Sequence, residues 1–259
     1  MKMRLDKILL ARQLVSSRER AQALVLAGRV LVNEQKVDKP GSNVTEDAAI
    51  RILGDDQRYV SRGGFKLEAA LEHWKIDLSE RFCLDVGAST GGFTDCMLQH
   101  GASRVLAIDT GYGQIAQKLR ADPRVTLMER TNARHIKAGD LPEGITFLGM
   151  DVSFISATLI LPAVIPVAFD QAGVMNECVV LVKPQFEAGR EHIGKGGIVR
   201  DPAAHQLAIE RVRTCVAELG GEEIEITDSP ILGAEGNREF LLYARFSRKQ
   251  ILSDAGLSI

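Results

Sequence analysis

Cys83-Leu-Asp-Val-Gly-Ala-Ser-Thr-Gly-Gly-Phe-Thr-Asp95 is the stretch that decides the fold. An apolar run closes on Asp85, turns through Gly87, Gly91 and Gly92, and continues into residues that suit a helix, so it reads as strand, glycine-rich turn, helix. Glycines let a backbone approach a ligand closely, as in other nucleotide-binding turns. The dinucleotide pattern G-x-G-x-x-G is not matched, and the absence of G-K-[ST] after the glycines excludes a phosphate-binding P-loop. The next strand, Val105-Leu-Ala-Ile-Asp109, ends in an acid 24 residues after Asp85. A carboxylate there can accept both ribose hydroxyls of an adenosine moiety, which leaves an NAD-type ligand open at this point. The plainer reading of Asp109 is a turn residue at a strand end.

Outward from this core, apolar runs alternate with helical stretches. Strands are expected over 82–86, 104–108, 125–128, 145–150, 178–182, 224–226 and 240–246, with helices most clearly over 65–74, 156–161 and 203–219. Such alternation predicts an α/β domain whose mainly parallel sheet is covered on both faces.

The N-terminal segment is different. Residues 1–45 carry nine Lys/Arg against four Asp/Glu, a local balance of +5 in a chain of net charge −2, which leaves −7 for the rest. A basic head on a mildly acidic body suits a polyanion, an acidic protein or plain solvation. Apolar positions recur at helical spacing through Leu5, Ile8 and Leu9, then Ala21, Leu24 and Val25, with Ser16 and Ser17 placed to cap the second helix. Gly28 stops that helix, and strands follow over 29–33, at Val44 and over 50–52. The polar pair Asp55-Asp56 marks a boundary, so the organisation expected is a small α+β domain over 1–57, a linker over 58–64, the α/β domain over 65–246 and a motif-free tail over 247–259.

At 259 residues, with 45% hydrophobic and 25% charged residues, the chain has the composition of an ordinary globular protein. Lys2, Arg4, Asp6 and Lys7 interrupt any secretory signal, and the most apolar stretch, 157–169, is too short to span a bilayer and carries Pro162 and Pro166. Cys83, Cys96, Cys178 and Cys215 form no C-x-x-C pair and have no histidine at ligand spacing, so neither zinc nor disulfides are expected. His73, His100, His135, His192 and His205 have no evident triad or metal partners. A cytoplasmic protein without a metal, and without a membrane partner, is the expectation; the oligomeric state stays open.

"RLDKILLARQLVSSRERAQALVLAGRVLVNEQKV" resembles the S-four domain, an RNA-binding module, through Arg4-Leu5-Asp6, Ser17-Arg18 and Ala27-Gly28-Arg29-Val30. That resemblance implies that Arg4, Lys7, Arg18, Arg20 and Arg29 face RNA phosphates, which an arginine fork can hold bidentately, and Arg62 is placed with them. Taken alone, the same arginines would be read as solvating helix faces. No aromatic cluster accompanies them, so folded RNA recognised by shape and phosphate is expected rather than stacked single strands.

The form D-x-G-A-x-x-G-G-[FW] is similar to motif one of methyltransferases acting on ribose 2′-hydroxyls. Over the whole chain, "SRGGFKL", "LDVGASTGGFTD", "ERTNAR", "MDVSFIS", "LVKPQFE", "GGIVRD" and "NREFLL" resemble the TlyA family of ribosomal RNA cytidine-2′-O-methyltransferases, some of whose members are called hemolysins. The resemblance implies a Rossmann-like, FtsJ-like domain with a seven-stranded sheet, S-adenosylmethionine as cofactor, and ribosomal RNA or ribosomal subunits as partner. It assigns Asp85, Gly87, Gly91, Gly92, Phe93, Asp109, Asn132 and Asp151 to the cofactor: the glycines and Phe93 at the methionine end, Asp109 at the ribose, Asn132 at the adenine edge.

It also implies a catalytic tetrad of Lys66, Asp151, Lys183 and Glu239. Lys183 is the candidate to activate the hydroxyl, because a lysine near a second cation and partly desolvated gives up its proton more readily, whereas carboxylates nearby act the other way. Asp151 could also steady the sulfonium. Without the motifs, Lys66 and Glu239 read as solvated residues at element ends. Residues 189–201, with Arg190, Lys195 and Arg200, look like a mobile basic loop beside the cleft.

Other chemistries fit less well. No cysteine adjoins proline, as base C5 methylation needs, and Asp151-Val-Ser-Phe154 is not the Asp/Asn-Pro-Pro-aromatic turn of amino methylation. The one Arg-Leu-Asp lies at Arg4–Asp6, which argues against a pseudouridine synthase. The alternative of another class is a non-enzymatic RNA-binding or membrane-active, hemolysin-like protein.

Overall fold

The computed structural model describes residues 2–12, 14–15, 17–45, 47–53, 58–169, 175–233 and 236–247. Ser16, the Asp55-Asp56 pair and the tail beyond Ser247 lie outside the described residues. The chain forms two compact units, 1–58 and 59–259.

In the first unit, β1 (Lys2–Arg4) leads into α1 (Leu5–Ala11), and α2 (Arg18–Leu26) follows, with Ser17 capping it by accepting the Arg20 N–H at 3.1 Å. Gly28, at φ +64°, turns the chain into β2 (Val30–Val32). It also leaves room for Lys36, whose Cε would lie 2.0 Å from any Cβ there. β3 (Gln35–Lys36) and β5 (Ile50–Ile52) flank β2, whereas β4 (Asn43–Thr45) pairs with β1. Leu5, Leu9, Leu24, Val25 and Val30 form a core with at most 2% exposure.

The second unit begins at Tyr59, which is buried beneath α3 (Gly63–Trp74). A Cβ on Gly64 would fall 2.2 Å from the Tyr59 ring, and the Val60 N–H donates to buried Asp95 at 2.8 Å. Of the stretch 58–64 expected as a linker, residues 59–64 are therefore packed into the second unit, because Tyr59 and Val60 find partners there.

The sheet contains β6 (Phe82–Val86), β7 (Arg104–Ile108), β8 (Val125–Met128), β9 (Ile145–Met150), β10 (Asn176–Val182), β11 (Gly221–Asp228) and β12 (Phe240–Phe246), in the order β11-β12-β10-β9-β6-β7-β8. Five strands, β10, β9, β6, β7 and β8, pair in parallel, and β12 runs antiparallel to both neighbours, so that β11 points the same way as those five. Along β6 and β10 every residue is buried, as expected for strands covered on both faces. Leu84, Leu148, Val180 and Leu242 pack on one face with α6 (Leu161–Ala168) and α8 (Pro202–Glu218); Cys83, Phe147, Val179 and Leu241 pack on the other with α3 and α4 (Gly92–Gln99).

The helix expected over 156–161 divides into a single 3₁₀ turn, Ala157–Leu159, and α6, where Pro162 falls in the first turn and its missing N–H costs nothing. Two short helices were not foreseen: α5 (Gln117–Arg120) and α7 (Pro184–Glu187). The chain leaves β6 for β7 and β8 on one side and returns to β9 on the other. The carboxyl ends of β6 and β9 thus meet at the point of reversal, where open α/β sheets bind ligands.

Candidate functional site

Gly87 sits at φ +88° just beyond β6, and a Cβ there would lie 2.6 Å from the Asp151 carbonyl oxygen. Only glycine lets the β6 loop pass so close to the end of β9. The loop is held at its far side by Asp109, whose carboxylate accepts the N–H of Ser89 at 2.7 Å and of Gly111 at 2.6 Å. Asp109 is therefore a turn-holding residue, and it also borders a cavity.

Two cavities adjoin at this end of the sheet. One is bordered by Lys66, Lys183, Phe93, Arg62 and Leu232; the other by Asp109, Asn132, Ile108, Ile155 and Phe154. Gly87, Ser89, Asp151 and Ser153 border both.

Five of the residues expected at the cofactor have the following surroundings. Gly91, at φ +95°, lines neither cavity; the space a Cβ would take holds the Leu119 and Ile115 side chains, so this glycine serves packing of the loop on α5. Gly92 and Phe93 border the lysine cavity rather than the Asp109 cavity, and a Cβ on Gly92 would meet Ser61 Oγ at 2.3 Å. Asp85 borders neither; fully buried, its Oδ2 accepts the Thr94 N–H at 2.9 Å and the Thr94 hydroxyl at 2.6 Å. It ties the start of α4 to β6. Asn132 borders the Asp109 cavity, but its side-chain oxygen accepts the Arg134 N–H at 3.1 Å, which leaves the amide N–H₂ for a ligand.

Burial pushes the Asp85 carboxyl up to about 7, against the opposing Thr94 hydrogen bonds and with help from the charges of Asp151 and Asp109. In the unfolded chain the same group titrates near ~3.9. The folded state thus holds its proton more tightly, so the stability it contributes is full below the unfolded value and is lost as pH rises through about 7. Asp85→Asn keeps an acceptor for Thr94 and cannot ionise. It is expected to match wild type near pH 4 and to exceed it by up to about 4 kcal/mol at pH 8. Denaturant unfolding at both pH values checks this; a variant less stable than wild type at pH 8 overturns it.

The four side chains expected as a tetrad form two pairs. Lys66 Nζ donates to Glu239 Oε2 at 2.6 Å, both buried. Lys183 Nζ lies 2.6 Å from Asp151 Oδ1 and donates to Ser153 Oγ at 2.8 Å. The Lys183–Asp151 contact is an ion pair without hydrogen-bond alignment, since Asp151 Oδ1 accepts no hydrogen bond.

Three residues of this site escaped the sequence reading. Ser153 holds Lys183. Phe154 is 92% exposed at φ +66°, a conformation a bulky side chain adopts only under constraint, and its ring lies 5.5 Å from that of Phe186. Glu187 is buried and accepts the Ala157 N–H at 2.7 Å and the Ser156 hydroxyl at 2.5 Å, its carboxyl pushed up by burial. It fastens the loop after β9 to α7. All three fall inside quoted motifs, "MDVSFIS" and "LVKPQFE", which were the available signal.

The 189–201 segment borders neither cavity. Its later half is pinned: Asn237 accepts the Val199 N–H and donates to the Gly197 carbonyl, both at 3.0 Å, and the His205 ring hydrogen-bonds the Val199 carbonyl at 2.9 Å. Cys83 and Cys178 are buried and their thiols pushed up to about 12, so they are inert packing groups, and no cluster of metal-ligating side chains occurs among the described residues.

In the first unit, several expected RNA contacts have structural duties. Asp6, 0% exposed, accepts from Arg4 Nε and Nη2 at 3.0 and 2.9 Å, Arg18 Nε at 3.0 Å and Gln22 Nε2 at 3.1 Å. Arg29 Nε donates to the Leu53 carbonyl at 2.8 Å, tying β2 to the end of β5. Arg4 and Arg18 remain nearly half exposed with further N–H groups to offer, Lys7 is exposed, and Arg20 is half-buried. Arg62 is exposed at the head of α3 in the second unit.

Comparison with known proteins places these features. Residues 59–246 match the model of the FtsJ-like methyltransferase family, and residues 3–50 match the S4 domain. The chain is 41% identical over 255 residues to the 16S/23S rRNA (cytidine-2′-O)-methyltransferase TlyA of Mycobacterium tuberculosis, covering 98% of this chain and 94% of that protein. It is 40% identical over 242 residues to Hemolysin A of Brachyspira hyodysenteriae, covering 93% and 99% respectively. A solved structure from Streptococcus thermophilus, provisionally named a hemolysin, superposes with a TM-score of 0.72 at 42% identity over 95% of this chain and 89% of that one.

Proposed function

The chain belongs to the FtsJ-like methyltransferase family, and on that footing we propose that it transfers a methyl group from S-adenosylmethionine to a ribose 2′-hydroxyl of cytidine in ribosomal RNA, acting in the cytoplasm. The observation that carries this reading is the shared wall: Gly87, Ser89, Asp151 and Ser153 border both cavities, so a methyl donor in one adjoins an acceptor in the other.

The Asp109 cavity suits the cofactor. A carboxylate at the end of β7, the Asn132 amide and the apolar side chains Ile108, Ile155 and Ile160 form a donor and acceptor set for a nucleoside. Asp109 would hold the ribose, Asn132 the adenine edge, and Gly87 and Ser89 the approach to the amino-acid end. Bound there, S-adenosylmethionine supplies an electrophilic methyl on a sulfonium, and Asp151 offsets that positive charge.

In the lysine cavity, Lys66 and Arg62 bind and orient the nucleotide, and Phe154, exposed at the border of the adjoining Asp109 cavity, offers a face for an unstacked base. Lys183 takes the hydroxyl proton as the ribose oxygen attacks. Glu239 holds Lys66 in place. Proximity and alignment of the two substrates supply much of the rate. Arg4, Lys7, Arg18, Arg20 and Arg29 contribute phosphate contacts from the S4 unit, whose substrate is a folded RNA or a ribosomal subunit. A membrane-active reading, invited by the hemolysin names, has no such geometry behind it; among the described residues no helix is long and apolar enough to cross a membrane.

The test is incubation with radiolabelled S-adenosylmethionine and ribosomal subunits lacking the modification, with the labelled nucleotide identified by mass spectrometry. Ribose-methylated cytidine is expected; label on a base or none on any RNA overturns the reading. Asp109→Ala is expected to weaken S-adenosylmethionine binding roughly ten- to hundredfold by calorimetry, since it removes ribose acceptors and frees the Ser89 loop.

A further inference from the structure

The two lysines of the cavity are held in different ways. Lys66 has a hydrogen bond aligned with the Glu239 carboxylate, a charge-assisted bond that holds the ammonium in place. Lys183 touches Asp151 at 2.6 Å, but Asp151 Oδ1 accepts no hydrogen bond; its aligned hydrogen bond goes to the neutral hydroxyl of Ser153. Asp151 thus contributes charge to Lys183, and Ser153 contributes direction.

We propose that Ser153 is a positioning residue for Lys183, fixing the rotation of its amine so that the nitrogen lone pair faces the acceptor hydroxyl. The inference rests on the methyl-transfer reading and deepens it. Once the Lys183 ammonium has given one proton to solvent, the neutral amine has two N–H groups and one lone pair at tetrahedral positions. With one N–H committed to Ser153 Oγ at 2.8 Å, rotation about the Cε–Nζ bond is restrained. In this reading the lone pair takes the position facing the cavity that Lys183 borders, with Asp151 beside the nitrogen at 2.6 Å as a charge rather than an aligned acceptor. Without Ser153, the pull of Asp151 alone leaves the nitrogen free to turn its lone pair away.

The step balances as follows. The ribose oxygen forms its bond to the methyl carbon, the carbon–sulfur bond breaks with its electron pair left on sulfur, and the hydroxyl proton passes to the Lys183 lone pair. The other charged groups bordering this cavity are Arg62 and Lys66 with its partner Glu239; Arg62 is exposed, and Lys66 has its own carboxylate. Neither gives Lys183 an alternative hydrogen bond that could replace Ser153.

Ser153 is held on a fastened loop. Asp151 precedes it, the Phe154 ring lies against Phe186, and Glu187 holds the backbone at Ala157. Phe186 and Glu187 belong to the turn that begins with Lys183, so the loop is tied to the segment that carries the lysine. Removing a single exposed hydroxyl leaves these attachments in place.

The test compares wild type, Ser153→Ala and Ser153→Thr in the full-length protein, measuring S-adenosylmethionine affinity, KM for ribosomal subunits and kcat. Ser153→Ala is expected to lower kcat roughly 10- to 30-fold, with cofactor affinity and KM within about twofold of wild type. Ser153→Thr, which keeps the hydroxyl, should restore kcat to within about threefold. A kcat for Ser153→Ala within twofold of wild type overturns the inference, as does a loss that threonine fails to rescue or that appears equally in KM. Wild type inert on every RNA overturns the methyl-transfer reading and this one together; active wild type with an unaffected Ser153→Ala overturns the positioning role alone.

Discussion

Lys183→Ala is expected to lower the rate of methyl transfer by roughly 10²- to 10⁴-fold while cofactor affinity stays within about threefold. The residue follows the fully buried strand β10 and precedes Pro184, and it is 7% exposed as a whole, with its amine beside Asp151 and Ser153. Alanine removes the proton acceptor and leaves Asp151 without its counter-charge, but it touches none of the side chains specific to the Asp109 cavity. Lys183→Arg sharpens the test, because a guanidinium keeps the positive charge yet does not deprotonate in a protein. If Lys183 acts as base, arginine should be as inactive as alanine. If it acts only as a charge, arginine should recover most of the rate, and the assignment of the base fails. Single-turnover assays with saturating cofactor separate these outcomes.

Asp6→Ala is expected to unfold much of the first unit. Asp6 is the buried acceptor for Arg4, Arg18 and Gln22, and these partners hold its carboxyl far below the usual carboxylate range, the Arg4 hydrogen bond foremost. Breaking a fully buried ion pair costs about 3–5 kcal/mol. Here the two guanidinium groups can turn toward solvent, so roughly 2–4 kcal/mol is expected, a large part of what a domain of this size possesses. Hydrogen exchange in the full-length protein should show loss of protection across residues 2–53, with residues 59–246 unchanged. Exchange equal to wild type in the first unit would remove Asp6 from this role. The sign with pH follows: a lowered folded value means the contribution is present above the unfolded value near ~3.9 and is lost as pH falls below it.

Much of the fold was legible. β6, β7, β8, β9 and β12 lie where their apolar runs predicted, because each run is bounded by glycine, charge or turn residues. The short elements β1, β3, α5 and α7, of two to four residues, carry too little periodicity to register. β11 was expected over three residues and spans Gly221–Asp228, since at the sheet edge it is half exposed and reads as polar.

The site divides in a similar way. Residue types and motif resemblance pointed to Lys66, Asp151, Lys183 and Glu239, and to Asp109 beyond the glycine turn. They did not reveal that Gly91 is packed against Leu119 and Ile115, that Asp85 serves Thr94, or that Asp6 already engages Arg4 and Arg18. A glycine or a carboxylate in a motif announces that something comes close, without saying whether that is a ligand or the protein itself.

By itself the sequence determined the alternation of strands and helices, the basic S4 head and the family, because periodicity, charge and local motifs are properties of neighbours along the chain. Only the tertiary structure decided that Lys66 belongs to Glu239 and Lys183 to Asp151 and Ser153. Pairing between residues as far apart as 66 and 239 depends on strand order and on which buried charge finds a partner within 3 Å, and no local pattern encodes that choice.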